Sequence, residues 1–126
     1  MATVLWVAAG GALGSAARYL VNVGVGRLLG TEFPWHTLIV NVAGCFAMGA
    51  LVELMALRLN VSTEVRAFLA TGILGGFTTF SAFSLDFALL VERKAYGAAG
   101  FYAAGSVIVS LAAVFAGLAV VRAALS

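Results

Sequence analysis

A ten-residue stretch, residues 75–84, combines residue types that are unusual together inside an apolar segment. It reads G-G-F-T-T-F-S-A-F-S and so contains two glycines, four hydroxyl side chains and three phenyl rings. Paired glycines loosen a helix, and Thr and Ser side chains can bond the backbone groups that a break exposes. In hydrocarbon such a break is tolerated only where it faces protein or a water-filled cavity. We therefore predict an interrupted membrane helix here, and a functional site at the interruption.

Two of the phenyl rings offer a specific chemistry. Phe80 and Phe83 are three residues apart, and each is followed by a serine, Ser81 or Ser84. The edge of a phenyl ring carries partial positive charge, so ring edges turned into a pore could replace water around a small anion without binding it tightly. The alternative is that both rings pack in the core or face lipid, and their spacing does not decide between the two.

Polar side chains in two other apolar segments are candidates for the same site, because buried polar groups are costly in a membrane. The Asn41 amide can donate two hydrogen bonds, which suits an anion. A purely structural hydrogen bond between helices is an equal alternative. Tyr102, Ser106 and Ser110 recur every four residues and cover about 12 Å of a helix. We favour a polar track there over hydroxyls that bond back to their own helix.

Arg18 lies near the middle of the first apolar segment. An arginine at that depth must reach the interface, pair with an acid or face an aqueous vestibule. We expect Asp86, shortly after the break, to be its partner.

Composition indicates which elements must position these residues. The chain has 126 residues, of which 63% are hydrophobic and 10% charged, whereas about 25% are charged in a typical soluble domain. Its mean hydropathy is +1.12. Four apolar runs each exceed the roughly 20 residues that span a bilayer core. We predict a single all-α integral membrane domain, residues 1–126, with helices at about 4–29, 35–57, 65–91 and 95–124.

Several classes of function are excluded by what the sequence contains. A sequence pI of about 9.1 would suggest nucleic acid for a soluble protein, but here it reflects arginines at helix ends, so we expect no nucleic-acid partner. One cysteine and one histidine do not make a metal or nucleophile site. No phosphate-binding loop follows a strand. We therefore predict that the chain is not an enzyme.

The basic residues near the helix ends show no bias between the two sides of the membrane. With four spans, three fall on each side: Arg58, Arg66 and Arg122 on one, and Arg27, Arg93 and Lys94 on the other. A membrane protein usually inserts with the side that carries more Lys and Arg in the cytoplasm, and here neither side carries more. We predict insertion in both orientations and an antiparallel homodimer with its two-fold axis in the membrane plane.

Small residues also recur at helical spacing, at Gly10/Gly14, Gly26/Gly30 and Gly72/Gly76. Such pairs allow helices to approach closely in lipid.

Residues 75–84 closely resemble the signature of the small fluoride channels, the Fluc or CrcB family, whose pattern is near G-G-x-T-T-F-S-T-F-S. The one departure is Ala82, where the family has threonine. Further matches are G-A-L-G at residues 11–14 followed by Arg18, P-W-x-T-L-x-V-N at residues 34–41, and the Tyr102, Ser106 and Ser110 series. The resemblance covers all four predicted helices.

The resemblance implies a dual-topology dimer in the bacterial inner membrane with two passive, fluoride-selective pores that protect the cell from fluoride toxicity. It implies a pore lined by the Phe80 and Phe83 pair, with Asn41 donating to the ion. The rest of the implied pore set is Thr79, Ser81, Ser84, Tyr102, Ser106 and Ser110. Arg18 would lie toward the vestibule. A structural Na⁺ would be held at the dimer centre by backbone carbonyls of Gly75 and Thr78.

Two alternatives remain open. One is a small proton-coupled multidrug exporter, which needs an acidic residue embedded in its first helix. The first acidic residue here is Glu32, in a loop. The other is a non-transporting membrane assembly subunit, in which the broken helix serves only for packing.

Overall fold

The computed structural model describes residues 2–58 and 60–125 of the chain. Within these ranges all regular structure is helical, and four segments are long and apolar enough to cross a membrane. The predicted four spans are therefore confirmed, with ends shifted by a few residues. The elements are α1 (Ala2–Leu29), α2 (Trp35–Leu57), α3 (Thr63–Arg66), a π-helical segment (Ala67–Leu74), α4 (Gly75–Phe77), α5 (Phe80–Glu92) and α6 (Tyr96–Leu125). The elements from α3 to α5 together form the third span.

Short turns connect the spans. Gly30 ends α1 with a φ of +79°, a left-handed conformation that glycine adopts without strain. Its N–H donates to the Gly26 carbonyl at 3.0 Å. At the start of α3, the Ser62 hydroxyl accepts from the Val65 N–H at 3.2 Å and caps the helix.

Glycines allow α1 to pack tightly against the third span. A Cβ atom at Gly72 would lie 2.9 Å from the Gly10 Cα, and one at Gly76 would lie 2.8 Å from the Gly11 carbonyl oxygen. One at Gly14 would lie 2.9 Å from the Phe77 nitrogen. Two of the three predicted pairs, Gly10/Gly14 and Gly72/Gly76, thus pack against each other.

The third predicted pair, Gly26/Gly30, does not pack against another span. A Cβ at Gly26 would meet only a methyl group of the nearby Thr31, at 3.8 Å, and one at Gly30 would meet nothing within 4 Å. The reason is local: this pair lies where α1 ends and the chain turns.

A second close contact joins α2 to α6. A Cβ at Gly117 would lie 2.7 Å from the Ala50 nitrogen, and one at Gly49 would lie 3.2 Å from the Leu118 nitrogen. At one end of this contact the Arg122 Nε donates to Glu53 Oε2 at 2.6 Å. The fold is thus two tightly packed helix pairs, α1 with the third span and α2 with α6.

The molecular surface exposes many large apolar side chains. Large hydrophobic side chains are exposed on every span, among them Leu20 on α1, Leu89 on α5 and Phe115 on α6. Surface of this composition and extent is suited to lipid, where no water opposes its exposure.

Candidate functional site

The third span is interrupted at two threonines. Thr78 has φ −84° and ψ 157°, and Thr79 has φ −154° and ψ 128°, so both are extended between α4 and α5. Gly75, with φ −64° and ψ −36°, stays helical. The predicted break is confirmed, but the glycines do not form it. Gly76 instead packs closely against Gly11 of α1, and Gly75 lines the groove described below. The extended residues carry hydroxyls that replace helical bonds.

Asn41 on α2 holds the break in place. Its Nδ2 donates to the Thr79 carbonyl at 3.0 Å, and its Oδ1 accepts from the Thr79 N–H at 2.8 Å. The Thr79 hydroxyl caps α5 by accepting from the Ala82 N–H at 3.2 Å. The cap uses the backbone of residue 82, which any residue supplies apart from proline. The alanine at that position therefore leaves the cap intact.

The break also leaves two backbone carbonyls without the N–H donors that would bond them in a continuous helix. The Thr79 N–H, which would bond the Gly75 carbonyl, is bound to Asn41. The Ala82 N–H, which would bond the Thr78 carbonyl, is bound to the Thr79 hydroxyl. Both carbonyls therefore lose their usual helical partners, and hard oxygen ligands of this kind suit a hard cation. These are the two residues to which the resemblance assigns Na⁺.

Arg18 does not pair with Asp86, contrary to our expectation. Its Nε donates to the Gly76 carbonyl at 3.2 Å, at the end of α4. The helix α1 packs against α4 and the π-helical segment but not against α5, which carries Asp86. The arginine therefore binds a carbonyl released by the break, where α1 brings it close.

Asp86 instead accepts two hydrogen bonds at one oxygen. Its Oδ2 accepts from the Thr37 hydroxyl at 2.7 Å and from the Tyr102 hydroxyl at 3.1 Å. Thr37 and Tyr102 are buried, with exposures of 2% and 0%. Three spans thus meet at this carboxylate, and the only sequence signal for it was an acidic residue within a span.

An open groove of about 470 Å³ lies beside the break. It is lined by Asn41, Cys45, Gly75, Thr78, Thr79, Phe80, Phe83, Ser106, Val107, Ser110 and Leu111. None of these lining residues is charged. The hydroxyl oxygens of Ser106 and Ser110 are buried and have no hydrogen-bond partner among the described residues. Buried polar groups usually have a hydrogen-bond partner, so these two hydroxyls are candidates to bind water or an anion.

The two phenyl rings have different environments. Phe80 is 77% exposed. Phe83 is half-buried and contacts the ring of Tyr102, with centroids 5.1 Å apart and an interplanar angle of 37°. The Phe80 and Phe83 centroids are 5.5 Å apart. Both rings line the groove. Tyr102, which does not line it, packs against the ring of Phe83.

The groove brings together most of the predicted site residues, but not all. Ser81 and Ser84 are exposed on α5 outside it, although the Ser81 hydroxyl lies 3.2 Å from that of Thr79. Tyr102 directs its hydroxyl to Asp86 and not into the groove. Cys45 lines the groove and was not predicted to do so. Its position one helical turn after Asn41 is the signal that could have revealed it.

The fold and the site together define a multi-pass membrane protein of four spans, with a polar groove beside a broken helix. The chain belongs to the CrcB-like protein family, described as Camphor Resistance (CrcB), whose sequence profile matches residues 5–118. The membership predicted from residues 75–84 is thereby confirmed.

Bacterial relatives match almost end to end. A protein of Agrobacterium fabrum named fluoride-specific ion channel FluC is 59% identical over 97% of this chain and 98% of its own length. A protein of Rhodospirillum centenum with the same name is 57% identical over the full length of both chains. Another of that name, from Caulobacter vibrioides, is 54% identical over 97% of each. With its four candidate spans, the chain is thus a multi-pass bacterial membrane protein that matches these relatives over nearly their whole length.

Proposed function

We propose that this protein is a fluoride-selective channel, and not an enzyme, that lets cytoplasmic fluoride leave the cell passively and so protects it from fluoride toxicity. The observation that carries this proposal is the groove lined by residues of the family signature, where two buried serine hydroxyls have no partner in the described part of the chain. The names of relatives that are 54–59% identical over nearly the whole chain support fluoride as the ion.

The chemistry of the groove suits a small anion that must move through. Fluoride is strongly hydrated, so a pore must replace lost water at each step while holding the ion weakly enough to release it. Hydroxyls from Ser106 and Ser110, ring edges from Phe80 and Phe83, and the second N–H of the Asn41 amide are neutral donors. A lysine or arginine in the same place would hold the anion more tightly.

The functional unit in this proposal is an antiparallel homodimer in the bacterial inner membrane, with both orientations inserted and two pores per dimer. The equal numbers of basic residues at the two sides of the membrane support it. The 77% exposure of Phe80 also supports it, because a ring assigned to a pore wall needs a facing surface that this chain alone does not supply. The lipid bilayer and a second copy of the chain are then its partners.

A structural Na⁺ at the dimer centre is part of the same proposal. The residues fit it, because the break leaves the Gly75 and Thr78 carbonyls without their usual helical amides. These two residues from each copy would hold the ion and so join the two broken helices. Fluoride is not routed through this site.

The test is ion release from liposomes that contain the purified protein. We expect rapid fluoride efflux and little chloride efflux from matched vesicles, recorded with ion-selective electrodes. Comparable chloride efflux would reject selectivity. Absence of any flux from a well-folded dimer would favour an assembly subunit, and proton-coupled efflux of organic cations would favour a drug exporter.

A further inference from the structure

Cys45 is a wall residue of the groove that belongs neither to the ten-residue signature nor to the polar track. It lies on α2 one turn after Asn41, and residues four apart on a helix share a face. The two hydrogen bonds between Asn41 and Thr79 hold that face of α2 against the break. Gly44 packs there as well, since its Cβ would lie 3.3 Å from a ring carbon of Phe77. The position of Cys45 is therefore set by close packing on the break.

The same groove is lined by two serines, Ser106 and Ser110, whose buried hydroxyls have no hydrogen-bond partner among the described residues. Ser106 is 5% exposed. The groove, at about 470 Å³, is large compared with the roughly 30 Å³ that one water molecule occupies in the liquid. Cys45 is itself half-buried and makes no disulfide. Cys45 and the two serines line the same open groove, so a small molecule that enters it comes into contact with Cys45.

We propose that Cys45 is a modification site: a small uncharged thiol-reactive molecule that enters the groove forms a mixed disulfide with its sulfur, and the adduct obstructs the groove. An uncharged reagent is specified because none of the residues that line the groove carries a charge with which an ionic reagent could pair. The obstruction of fluoride movement rests on the proposed function, whereas the modification itself does not.

The reaction with methyl methanethiosulfonate serves as the probe. The Cys45 thiol loses its proton to solvent, and the resulting thiolate is the nucleophile. It attacks the sulfenyl sulfur, an S–S bond forms to that sulfur, and the bond from that sulfur to the sulfonyl group breaks. Methanesulfinate leaves with the electron pair. The product carries a methylthio group on Sγ, and no further oxidant is needed.

The experiment treats protein in liposomes with this reagent at mildly alkaline pH, then measures intact mass and fluoride efflux on the same sample. Cys45→Ala removes the only cysteine of the chain and is the matched control. Cys45→Met reproduces the length and shape of the methylthio adduct without the reaction. We expect one added methylthio group and at least a tenfold fall in efflux for the native protein. We also expect dithiothreitol to restore efflux in the treated native protein. The reagent should change neither the mass nor the efflux of Cys45→Ala, and Cys45→Met should show slow efflux without treatment.

Two results would overturn the proposal. One is a complete adduct with unchanged efflux. The other is a sulfur that reacts only after the protein has been unfolded in detergent. A protein that passes no fluoride before treatment contradicts the proposed function instead, and the mass change in folded protein then still decides whether Cys45 is a modification site.

Discussion

Asn41 and Thr79 form a reciprocal pair across two spans, in which the side-chain amide of one binds both backbone groups of the other. The Asn41 Nδ2 donates to the Thr79 carbonyl at 3.0 Å, and the Thr79 N–H donates to Asn41 Oδ1 at 2.8 Å. An amide side chain thus takes the place of the two helical bonds that the break removes. One N–H of Asn41 remains for the groove, so the same residue can hold the break and meet an ion.

Asn41→Ala tests this double role. The change leaves the half-buried N–H and C=O of Thr79 without partners, which costs about 1–3 kcal/mol for each group. We expect a lower melting temperature in detergent and at least a tenfold fall in fluoride efflux, because the groove wall at Thr79 loses its support. Asn22→Ala is the control, since the buried Asn22 Oδ1 has no partner among the described residues. A variant of Asn41 that melts and conducts like the native protein would show that the pair does not hold the break.

Phe80→Ile and Phe83→Ile test the rings. Isoleucine keeps an apolar side chain but removes the ring edge. Both variants should conduct fluoride much more slowly. Phe83→Ile should also lose stability, by about 0.5–1.5 kcal/mol for an aromatic pair, because Phe83 contacts Tyr102. Phe115→Ile is the matched control, on a ring that is 69% exposed on α6. Normal efflux from both Phe80 and Phe83 variants is the outcome that would exclude a role for ring edges.

Gly14→Ala tests the contact between α1 and the third span. The added methyl group would lie 2.9 Å from the Phe77 backbone nitrogen, and backbone atoms in a packed interface cannot easily move away. Overpacking of this kind costs about 1–3 kcal/mol. Gly24→Ala, on the same helix, meets nothing within 4 Å and should be neutral or slightly stabilising. Thermal unfolding of the two variants side by side makes the comparison, and equal melting temperatures would contradict the packing.

Tyr102→Phe and Thr37→Val test the carboxylate that joins three spans. Each change removes one of the two hydrogen bonds to Asp86, and a typical hydrogen bond contributes about 0.5–1.5 kcal/mol net. Tyr102→Phe keeps the ring that supports Phe83. We expect each single variant to lose stability and the double variant to lose more than either, because Asp86 then has neither donor. Tyr19→Phe, on a side chain that is 66% exposed, is the control. A double variant as stable as the native protein would contradict the role of this cluster.

Much of the candidate site could be predicted from the sequence, because the membrane makes its signals strong. Long apolar runs allow few structures other than helices, and polar residues within them are costly enough to be noticed singly. The interrupted third span and the candidacy of Asn41 and Ser106 followed from such signals, whereas the pore role of Phe83 came from the family resemblance. The family signature at residues 75–84 added specificity that composition does not contain.

Which of these groups contact each other depends on how the spans pack. Arg18 and Asp86 are an obvious pair by charge, yet α1 packs on the segment before the break and leaves α5 to α2 and α6. Arg18 therefore binds a carbonyl, and Asp86 binds two hydroxyls. The position of the break was decided in the same way. Gly76 stays helical and packs closely against Gly11 of α1. The two threonines become extended because Asn41 and their own hydroxyls supply the bonds that the helix gives up. The apolar pattern of a span determines that it is a helix. The contacts that neighbouring spans make with it determine where that helix can be interrupted.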